Sequence, residues 1–390
     1  MLLYTLMFRP LEGTPVNKNL ARIYTVNGAY SLGLAIAGVM LTFMALEREL
    51  QLGSIALLSS LSAVTQMGAR LPLGWALRYI TDKTVMLAAL ATLAASMAAA
   101  LALPGLAGLA VAQLLQGTSR AGFWSASQTH VIRSSPNPVK SLSRSTFITS
   151  SCSIAGPFLA GWLAQFNVAL AAWATIGVAL AGLAAAALLR RLPVFSPPAT
   201  GGDGKVRHRP GVVAASAGSL VGGAWHVTLT TFAPVVLAGA GWTEAQIGGA
   251  VSGANASLLI GTIACAHLRS QHFLAGLTGG ACLSALGIAC LGLADLAPGA
   301  AVAVLIASGA GTGFLLALGP AIASVSVHPE ERGAAVVVTG SYRAGALLAV
   351  PLAVSGAITV LPATLTLGIL GVLVGLPSVS VAAKAWLRAR

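Results

Sequence analysis

The residues whose types and spacing suggest binding chemistry lie in one apolar segment, between residues 106 and 132. Arginine, glutamine and tryptophan recur there every three or four positions, at Gln113, Gln116, Arg120, Trp124 and Gln128. Side chains at this spacing lie along one face of an α-helix. A guanidinium group on such a face can hold a carboxylate or a phosphate through paired hydrogen bonds. The pattern predicts either the polar wall of a cavity centred on Arg120 or a hydrogen-bonding stripe between helices.

A second arginine, Arg343, lies near the middle of another apolar segment, 333–358. The nine carboxylates of the chain lie outside the apolar segments or near their ends, at Glu12, Glu47, Glu49, Asp82, Asp203, Glu244, Asp295, Glu330 and Glu331. Arginines in apolar surroundings with no carboxylate at their depth favour a ligand that brings its own negative charge. We therefore expect Arg120 and Arg343 to bind the anionic group of a solute.

Composition indicates which elements must position these side chains. Hydrophobic residues make up 56% of the 390 residues and charged residues 8%, and the mean hydropathy is +0.86. This composition predicts an all-α integral membrane protein rather than a soluble domain. A helix needs roughly 20 apolar residues to cross about 30 Å of hydrocarbon. Twelve segments are predicted as transmembrane helices: 20–46, 52–74, 84–103, 106–132, 144–166, 168–190, 211–238, 245–267, 272–294, 298–327, 333–358 and 361–383.

The first six and the last six segments show internal repetition. Asn27-Gly28-Ala29-Tyr30 is echoed by Gly222-Gly223-Ala224-Trp225, Gly122-Phe123 by Gly313-Phe314, and Pro157 by Pro351. We expect two six-helix bundles, 1–192 and 211–390, joined by a cytoplasmic linker, 193–210, that is rich in proline, glycine and basic residues. Paired repeats in an apolar chain are typical of secondary transporters, in which the substrate site lies between the repeats near mid-bilayer.

The distribution of lysine and arginine predicts the orientation of the chain. With both termini and the even-numbered loops in the cytoplasm, Arg48 is the only one of the 22 basic residues on the outer side, while Arg70, Arg120 and Arg343 lie within segments. This asymmetry follows the positive-inside rule and accounts for the net charge of +13 without nucleic-acid binding. We expect a multi-pass protein of the cytoplasmic (inner) membrane.

The loop between the second and third segments resembles a signature of the major facilitator superfamily, Gly-x-x-x-Asp-Arg-x-Gly-Arg-Lys. It reads Gly74-Trp75-Ala76-Leu77-Arg78-Tyr79-Ile80-Thr81-Asp82-Lys83. Gly74 and Lys83 match the signature, whereas Arg78 stands where the family has its carboxylate. The resemblance implies a cytoplasmic gate built from Gly74, Arg78, Asp82 and Lys83.

Three further segments resemble motifs of the same superfamily. Gln113-Leu114-Leu115-Gln116-Gly117 is similar to Arg-x-x-Gln-Gly, with Gln113 in place of the arginine, and Pro329-Glu330-Glu331-Arg332-Gly333 is similar to the loop before the eleventh helix. In the fifth segment, Gly156, Pro157 and Gly161 match three positions of Gly-Pro-x-x-Gly-Gly, which is typical of antiporters. The resemblance implies two bundles that rock around a central site in alternating access, and the antiporter motif favours export.

The first segment of each half places further polar and aromatic residues at the depth of the two arginines. These are Asn27 and Tyr30 in one half, and Trp225 and His226 in the other. We expect Arg120 and Arg343 to anchor the solute, Tyr30, Trp124 and Trp225 to supply apolar and stacking surface, and Asn27 and Gln116 to orient it. His226 is the only residue at this depth that titrates near neutral pH. Each of these residues also has a structural interpretation, as a packed and hydrogen-bonded side chain.

Taken together, these features predict a carrier for a small organic solute, anionic or carboxylate-bearing. Efflux of neutral or amphipathic compounds, such as antibiotics or siderophores, is the alternative, and a carrier-like membrane sensor is a more remote one. The carboxylate distribution disfavours efflux of cationic drugs. An enzyme is not expected, because the chain lacks a nucleophile with its base, a P-loop and a metal-ligand cluster.

The expected partners follow from this function. They are the small-molecule substrate and the lipid bilayer, with a coupling proton or an exchanged solute as a further partner unless transport is facilitative uniport. We expect no cofactor, no metal, no nucleic acid and a monomeric protein. Cys152, Cys265, Cys282 and Cys290 lie within segments without metal-ligand spacing, so we interpret them as small hydrophobic residues.

Overall fold

Long helices make up most of the part of the chain that the computed structural model describes, residues 18–76, 79–135, 138–194, 206–265, 267–327 and 332–388. Arg78 of the predicted gate, residues 195–205 of the predicted linker, and residues 329–331 of the loop before the eleventh segment lie outside the described residues. No strand occurs within the described ranges, so the prediction of an all-helical protein is confirmed for them.

Each predicted segment corresponds to a helix. In the first half these are α1 Lys18–Glu47, α2 Leu52–Ala76, α3 Asp82–Ala102, α4 Gly105–Ser134, α5 Pro138–Ala164 and α6 Val168–Ala187. In the second half α7 comprises Pro210–Val227, a π-helical turn Thr228–Phe232 and Ala233–Gly239. It is followed by α8 Glu244–Cys265, α9 Phe273–Leu291, α10 Pro298–Val325, α11 Arg332–Ala357 and α12 Ala363–Arg388. Short 3-10 turns, Val206–His208 and Ser270–His272, precede α7 and α9.

Local sequence explains where several helices begin. The side chain of Thr81 accepts a hydrogen bond from the Thr84 amide and caps α3, and the side chain of Asn167 accepts one from the Ala169 amide and caps α6. Pro210 and Pro298 begin α7 and α10, where a missing N–H costs nothing. These signals fix where the helices begin, and many of the closest helix pairs, such as α1 with α5 and α2 with α4, are not consecutive in the chain.

Ten of the helices in the described ranges are long and apolar enough to cross a membrane. The sequence predicted twelve spans, and α4 and α11 do not meet this criterion over their described residues, which in α11 leave out part of the first turns. These are the helices that carry Arg120 and Arg343. The polar residues of α4 lower its mean hydropathy, which is expected of a helix that faces a cavity or other helices rather than lipid.

Glycine allows corresponding helices in the two halves to pack closely. A Cβ atom at Gly117 of α4 would overlap the carbonyl oxygen of Ser62 on α2, and one at Gly313 of α10 would overlap that of Leu258 on α8. Helices α1–α6 pack mainly against one another, as do α7–α12, and the main contacts between the two groups join α5 to α8 and α2 to α11. The space left between these two contacts is where the cavity described below lies.

Candidate solute-binding cavity

A cavity of about 590 Å³ lies between the two groups of helices. Both groups contribute polar side chains to its described wall: Ser31, Gln66, Arg120, Gln128, Thr149, Ser150 and Ser153 from the first, and His226, Thr230, Asn255 and Arg343 from the second. Apolar side chains, among them Leu34, Trp124 and Leu347, complete the wall. No carboxylate belongs to the described lining. The cavity therefore combines cationic and polar groups with a larger share of apolar surface.

The structure brings together four of the eight residues that the sequence predicts to bind solute. Arg120 and Trp124 of α4 line the cavity from the first half, and His226 of α7 and Arg343 of α11 line it from the second. The two arginines are 223 positions apart by their numbers in the chain and share one cavity. Their convergence places two positive charges where an anionic solute could touch both halves at once.

Gln116 orients the Arg120 guanidinium group from behind the cavity wall. Arg120 Nη2 donates a hydrogen bond to Gln116 Oε1 over 2.7 Å. The Gln116 side chain is buried, and it lies one helical turn from Arg120 on α4. Arg120 Nε has no hydrogen-bond partner among the described residues. One donor of Arg120 is thus paired with Gln116, and Nε is buried and unpaired among the described residues.

Trp124 is wedged against two buried aromatic rings. Its ring meets the ring of Tyr30 edge-on, with centroids 5.9 Å apart at 89°, and the ring of Phe123 at 5.7 Å and 86°. Tyr30 and Phe123 stack on each other at 3.6 Å. Ser119 Oγ donates to the Ala89 carbonyl over 2.7 Å, so the Tyr30 hydroxyl, 3.0 Å from Ser119 Oγ, is the donor in that pair. Tyr30 therefore supports Trp124 and does not itself line the cavity.

Asn27 and Trp225, which the sequence predicts as solute contacts, lie behind the wall. The Asn27 amide donates to Ser145 Oγ over 2.7 Å and accepts from Ser127 Oγ over 2.6 Å, which ties α1 to α4 and α5. Trp225 is fully buried, and its indole N–H donates to Ser308 Oγ over 2.7 Å. The sequence predicts the depth of a residue along its helix but not the rotation of that helix. In both cases a close neighbour lines the cavity instead. Ser31, one turn after Asn27, and His226, next to Trp225, are lining residues.

Several polar wall residues were not predicted to bind solute. Thr149, Ser153 and Pro157 of α5 recur every four residues and line the cavity, a pattern that could have revealed a second polar face. The signal is weak because helical serines and threonines also bond to their own backbone: Ser153 Oγ donates to the Thr149 carbonyl over 3.0 Å. Gln66 and Asn255 are single amides in α2 and α8, and nothing in their sequence context distinguishes cavity residues from packing residues.

Contacts between the two halves close one end of the cavity. Gly161 of α5 packs against the backbone of Glu244, and Gly248 of α8 packs against the Pro157 carbonyl, so that a Cβ atom at either glycine would overlap backbone of the other helix. Thr42 Oγ1 of α1 donates to the Thr230 carbonyl of α7 over 3.3 Å. In an α-helix the Thr230 carbonyl would accept a hydrogen bond from the backbone N–H of residue 234. Residue 234 is proline, which has no N–H, so this carbonyl lacks its usual helical donor.

All of these contacts lie towards the loops that the sequence predicts to be external. Of the predicted motif on α5, Gly161 forms part of this closure, Pro157 lines the cavity, and Gly156 packs against Ala35 of α1. The glycines of the motif therefore permit close helix contacts, one between the halves and one within the first half.

The described residues of the predicted gate form contacts within the first half. Asp82 is buried, its Oδ2 lies 3.1 Å from His130 Nδ1 and 3.7 Å from an Arg133 nitrogen, and its Oδ1 accepts from the Lys83 amide over 2.8 Å. Asn19 Oδ1 accepts from the Arg190 amide, so Asn19 Nδ2 faces His130 Nε2 as a donor over 3.1 Å. His130 therefore accepts at Nε2 and donates to Asp82 at Nδ1.

Lys83 and Gly74 complete the described part of this motif. Lys83 Nζ donates to the carbonyls of Ala187 and Leu189 over 2.6 and 2.8 Å, at the end of α6. Gly74 lies in the last turn of α2. The role of His130 was not predicted from the sequence, because Asp82 and His130 are 48 positions apart and only the packing of α3 on α4 brings them together.

No metal site emerges from the described residues. Among them, no three histidine, cysteine, aspartate or glutamate side chains are grouped as metal ligands. All four cysteines are unpaired thiols, and Cys265 is buried whereas Cys282 is exposed.

Solved structures similar to this one are those of membrane transporters. A mutant of the peptide transporter POT in complex with sulfate matches with a TM-score of 0.76 and 13% identity, covering 97% of this chain and 96% of that chain. The nucleoside transporter NupG matches with a TM-score of 0.72 and 12% identity, covering 94% and 98%. The human organic anion transporter MFSD10 matches with a TM-score of 0.63 and 16% identity, covering 94% and 100%. At these identities the matches show a shared fold.

The sequence itself decides the family. No curated protein matches this chain, but the sequence model of the Major Facilitator Superfamily matches residues 23–351, which is most of the chain. Together with ten helices apolar enough to cross a membrane, this match makes the chain a multi-pass membrane protein, and it belongs to the Major Facilitator Superfamily of transporters.

Proposed function

We propose that this protein carries a small organic anion, with a carboxylate as the anionic group, across the cytoplasmic membrane by alternating access. The observation that carries the proposal is that Arg120 and Arg343, from opposite halves, line one cavity whose described wall contains no carboxylate. A carboxylate entering this cavity replaces water around the guanidinium groups with charge-assisted hydrogen bonds. The solute would then supply the negative charge that the described wall lacks.

The architecture we propose is twelve transmembrane helices in two bundles, 1–192 and 211–390, with both termini in the cytoplasm. In this orientation the contacts of Gly161 and Gly248 close the external end of the cavity. Rocking of the bundles would separate these contacts and expose the cavity to the other side. An anion that is bound by one arginine from each bundle stabilises the conformations in which both arginines contact it. Solute binding is thereby coupled to the rocking of the bundles.

Within this cavity we assign roles by position. Arg120 and Arg343 bind the anionic group, Trp124 supplies apolar surface, and His226 faces the same space from α7. Gln116 orients Arg120, while Asn27, Tyr30 and Trp225 hold the wall in place through the buried contacts described above. The motif at Gly156, Pro157 and Gly161 favours export as the direction of transport.

A thermal-shift experiment tests the proposal. A ligand that binds the native state raises the apparent stability by RT ln(1 + [L]/Kd), so carboxylates should raise the melting temperature of the purified protein in detergent. Arg120→Gln and Arg343→Gln should each remove the shift and also stop carboxylate flux in proteoliposomes. Arg269→Gln, in an exposed position between α8 and α9, is the matched control and should leave both unchanged.

The apolar part of the wall supports a second candidate, efflux of neutral or amphipathic compounds. Trp124, Leu34 and Leu347 give the cavity an apolar patch beside its polar residues. If only neutral or cationic amphipathic compounds stabilise the protein, and the two arginine variants respond to them as the original protein does, this candidate replaces the anion carrier.

A further inference from the structure

Trp124 differs from the neighbouring aromatic residues in that it faces the cavity. Tyr30, Phe123 and Trp225 are fully buried, whereas Trp124 is partly exposed and belongs to the described lining. The edge contacts with Tyr30 and Phe123 hold its ring at close to a right angle to theirs. A rigid indole ring that is open to a cavity offers a planar surface on which another ring can stack with little loss of side-chain entropy.

Arg120 and Trp124 lie on the same face of α4 and line the same cavity. Four residues along an α-helix correspond to a rise of about 6 Å, so the guanidinium group and the indole ring are neighbours about one turn apart. Gln116, a further turn away, keeps the guanidinium group in place through the 2.7 Å hydrogen bond. A ligand that engages both groups must carry its anionic group and a flat ring only a few bonds apart.

The remaining wall adds apolar surface to that of Trp124. Leu34 and Pro157 are apolar lining residues contributed by α1 and α5, and burying a ring between apolar surfaces removes both of its faces from water. The polar groups of the wall are then left for the carboxylate and for substituents on the ring. The cavity volume of about 590 Å³ is large enough for a ring system with substituents.

We infer that the solute is an aromatic carboxylate, whose carboxylate binds Arg120 while its ring stacks on Trp124. This inference rests on the proposed function and narrows its substrate class. Trp124 is then the residue that distinguishes an aromatic acid from a saturated acid of the same size, and Arg120 is the residue that distinguishes an acid from its neutral amide.

Phenylacetate and cyclohexylacetate are the matched pair of probes, because both carry the same carboxylate and differ in the planarity and π-electrons of the ring. Dissociation constants are measured by thermal shift and by change in tryptophan fluorescence, on the full chain in detergent. Aromatic pairs gain affinity beyond their buried area, so phenylacetate should bind roughly two- to tenfold more tightly than cyclohexylacetate.

Three substitutions locate the preference. Trp124→Phe should keep most of it, because phenylalanine retains an aromatic face. Trp124→Leu should abolish it while leaving the affinity for cyclohexylacetate within about twofold, since leucine retains apolar surface. Trp173→Leu, a matched control on α6 whose tryptophan is 60% exposed, should leave the preference unchanged.

The outcomes separate the inference from the proposed function. If neither acid binds the original protein, the aromatic inference is overturned, and the thermal-shift experiment with other carboxylates then decides the anion carrier. If both acids bind through Arg120 with equal affinity, or if the preference survives in Trp124→Leu, the anion carrier stands and the aromatic inference is overturned. Should Trp124→Leu fail to fold, Trp124→Phe decides between the outcomes. The stacking site is supported if this variant loses the ligand-dependent fluorescence change and keeps the preference for phenylacetate. It is contradicted if the fluorescence change is the same as in the original protein.

Discussion

At the scale of single residues, neighbours in sequence have opposite roles. His226 lines the cavity, while Trp225 beside it is fully buried and donates to Ser308. On α4, Arg120 and Trp124 face the cavity and Gln116 lies behind them, bonded to Arg120. A polar row on one helix thus contains both residues positioned to contact a solute and residues that orient them.

The hydrogen bond between Arg120 and Gln116 leads to a first prediction. Gln116 Oε1 accepts a hydrogen bond from the Arg120 guanidinium group. Gln116→Glu replaces this amide with a carboxylate, which competes with the solute for Arg120. We expect the affinity for a carboxylate solute to fall at least tenfold, and less in Gln116→Leu, which only loses the positioning contact. Isothermal titration of the purified variants measures both.

Gln113→Glu is the control, since Gln113 belongs to the same row but is outside the described cavity lining. It should change the affinity by less than twofold. An equal loss in Gln113→Glu and Gln116→Glu would show that the added charge acts at long range rather than by occupying Arg120.

The buried carboxylate of Asp82 leads to a second prediction, on stability. Asp82→Asn removes the charge that His130 and Arg133 contact, and a buried partner left unsatisfied costs about 1–3 kcal/mol. The melting temperature in detergent should fall by several degrees. Asp295→Asn, at an exposed carboxylate after α9, should change it by no more than about one degree. A melting temperature unchanged in Asp82→Asn would mean that the cluster contributes no net stability.

At the scale of elements, the contact of α5 with α8 is the closest approach between the halves that the described glycines reveal. It depends on Gly161 and Gly248, where a methyl group would overlap backbone atoms of the facing helix. Backbone cannot move aside as a flexible side chain can, so the two helices must separate when either glycine is enlarged. This contact between the halves is therefore sensitive to a single added methyl group.

A third prediction follows for this contact. Gly248→Ala should shift the protein away from the conformation closed at this end, because overpacking costs about 1–3 kcal/mol, which corresponds to roughly a five- to 150-fold change in population. Spin labels can be attached at Phe166 and Leu296, which are 68% and 82% exposed in loops of opposite halves, once the four native cysteines are replaced by alanine. In this background the distance between the two labels should be longer in Gly248→Ala than in the protein with Gly248.

Gly249→Ala is a closely matched control. An added Cβ atom at Gly249 would meet no heavy atom within 4 Å outside its own surroundings on the helix. The distance distribution should therefore remain that of the original protein. A shift of equal size in both variants would indicate a general effect on α8 rather than loss of the contact with α5.

At the scale of the whole molecule, orientation determines on which side the closed end of the cavity lies. Lysine and arginine collect in the loops that we assign to the cytoplasm, and Arg48 is the exception. Arg48 donates to the carbonyls of Ala100 and Gly105, which lie at the ends of α3 and α4. A structural contact explains why one arginine remains at the end where the other loops lack basic residues.

Orientation gives a fourth prediction. In a cysteine-free background, Leu296→Cys should react with a membrane-impermeant maleimide in intact cells. Leu188→Cys, which is 61% exposed at the opposite end of the helices, should react only after the membrane is permeabilised. The reverse pattern would place the closed end in the cytoplasm and reverse the predicted topology.

The sequence by itself determined the fold class, the positions of the helices and which charged residues lie within them. These features are local, because a helix that crosses the bilayer must be apolar over roughly 20 residues and a charge within it is conspicuous. Arg120 and Arg343 could be identified in this way, and the resemblance to the major facilitator superfamily was confirmed over residues 23–351.

Only the tertiary structure decided which polar residues face the cavity and which hold the helices together. The rotation of each helix depends on its neighbours, through close contacts such as Gly117 with Ser62, and these join residues far apart in sequence. In α7 the π-helical turn at Thr228–Phe232 also changes the helical repeat, so that the face after His226 does not follow from a period of 3.6 residues. Asn27, Tyr30 and Trp225 therefore lie behind the wall, because the position of a residue is set along one helix and the direction it faces is set by the packing of many.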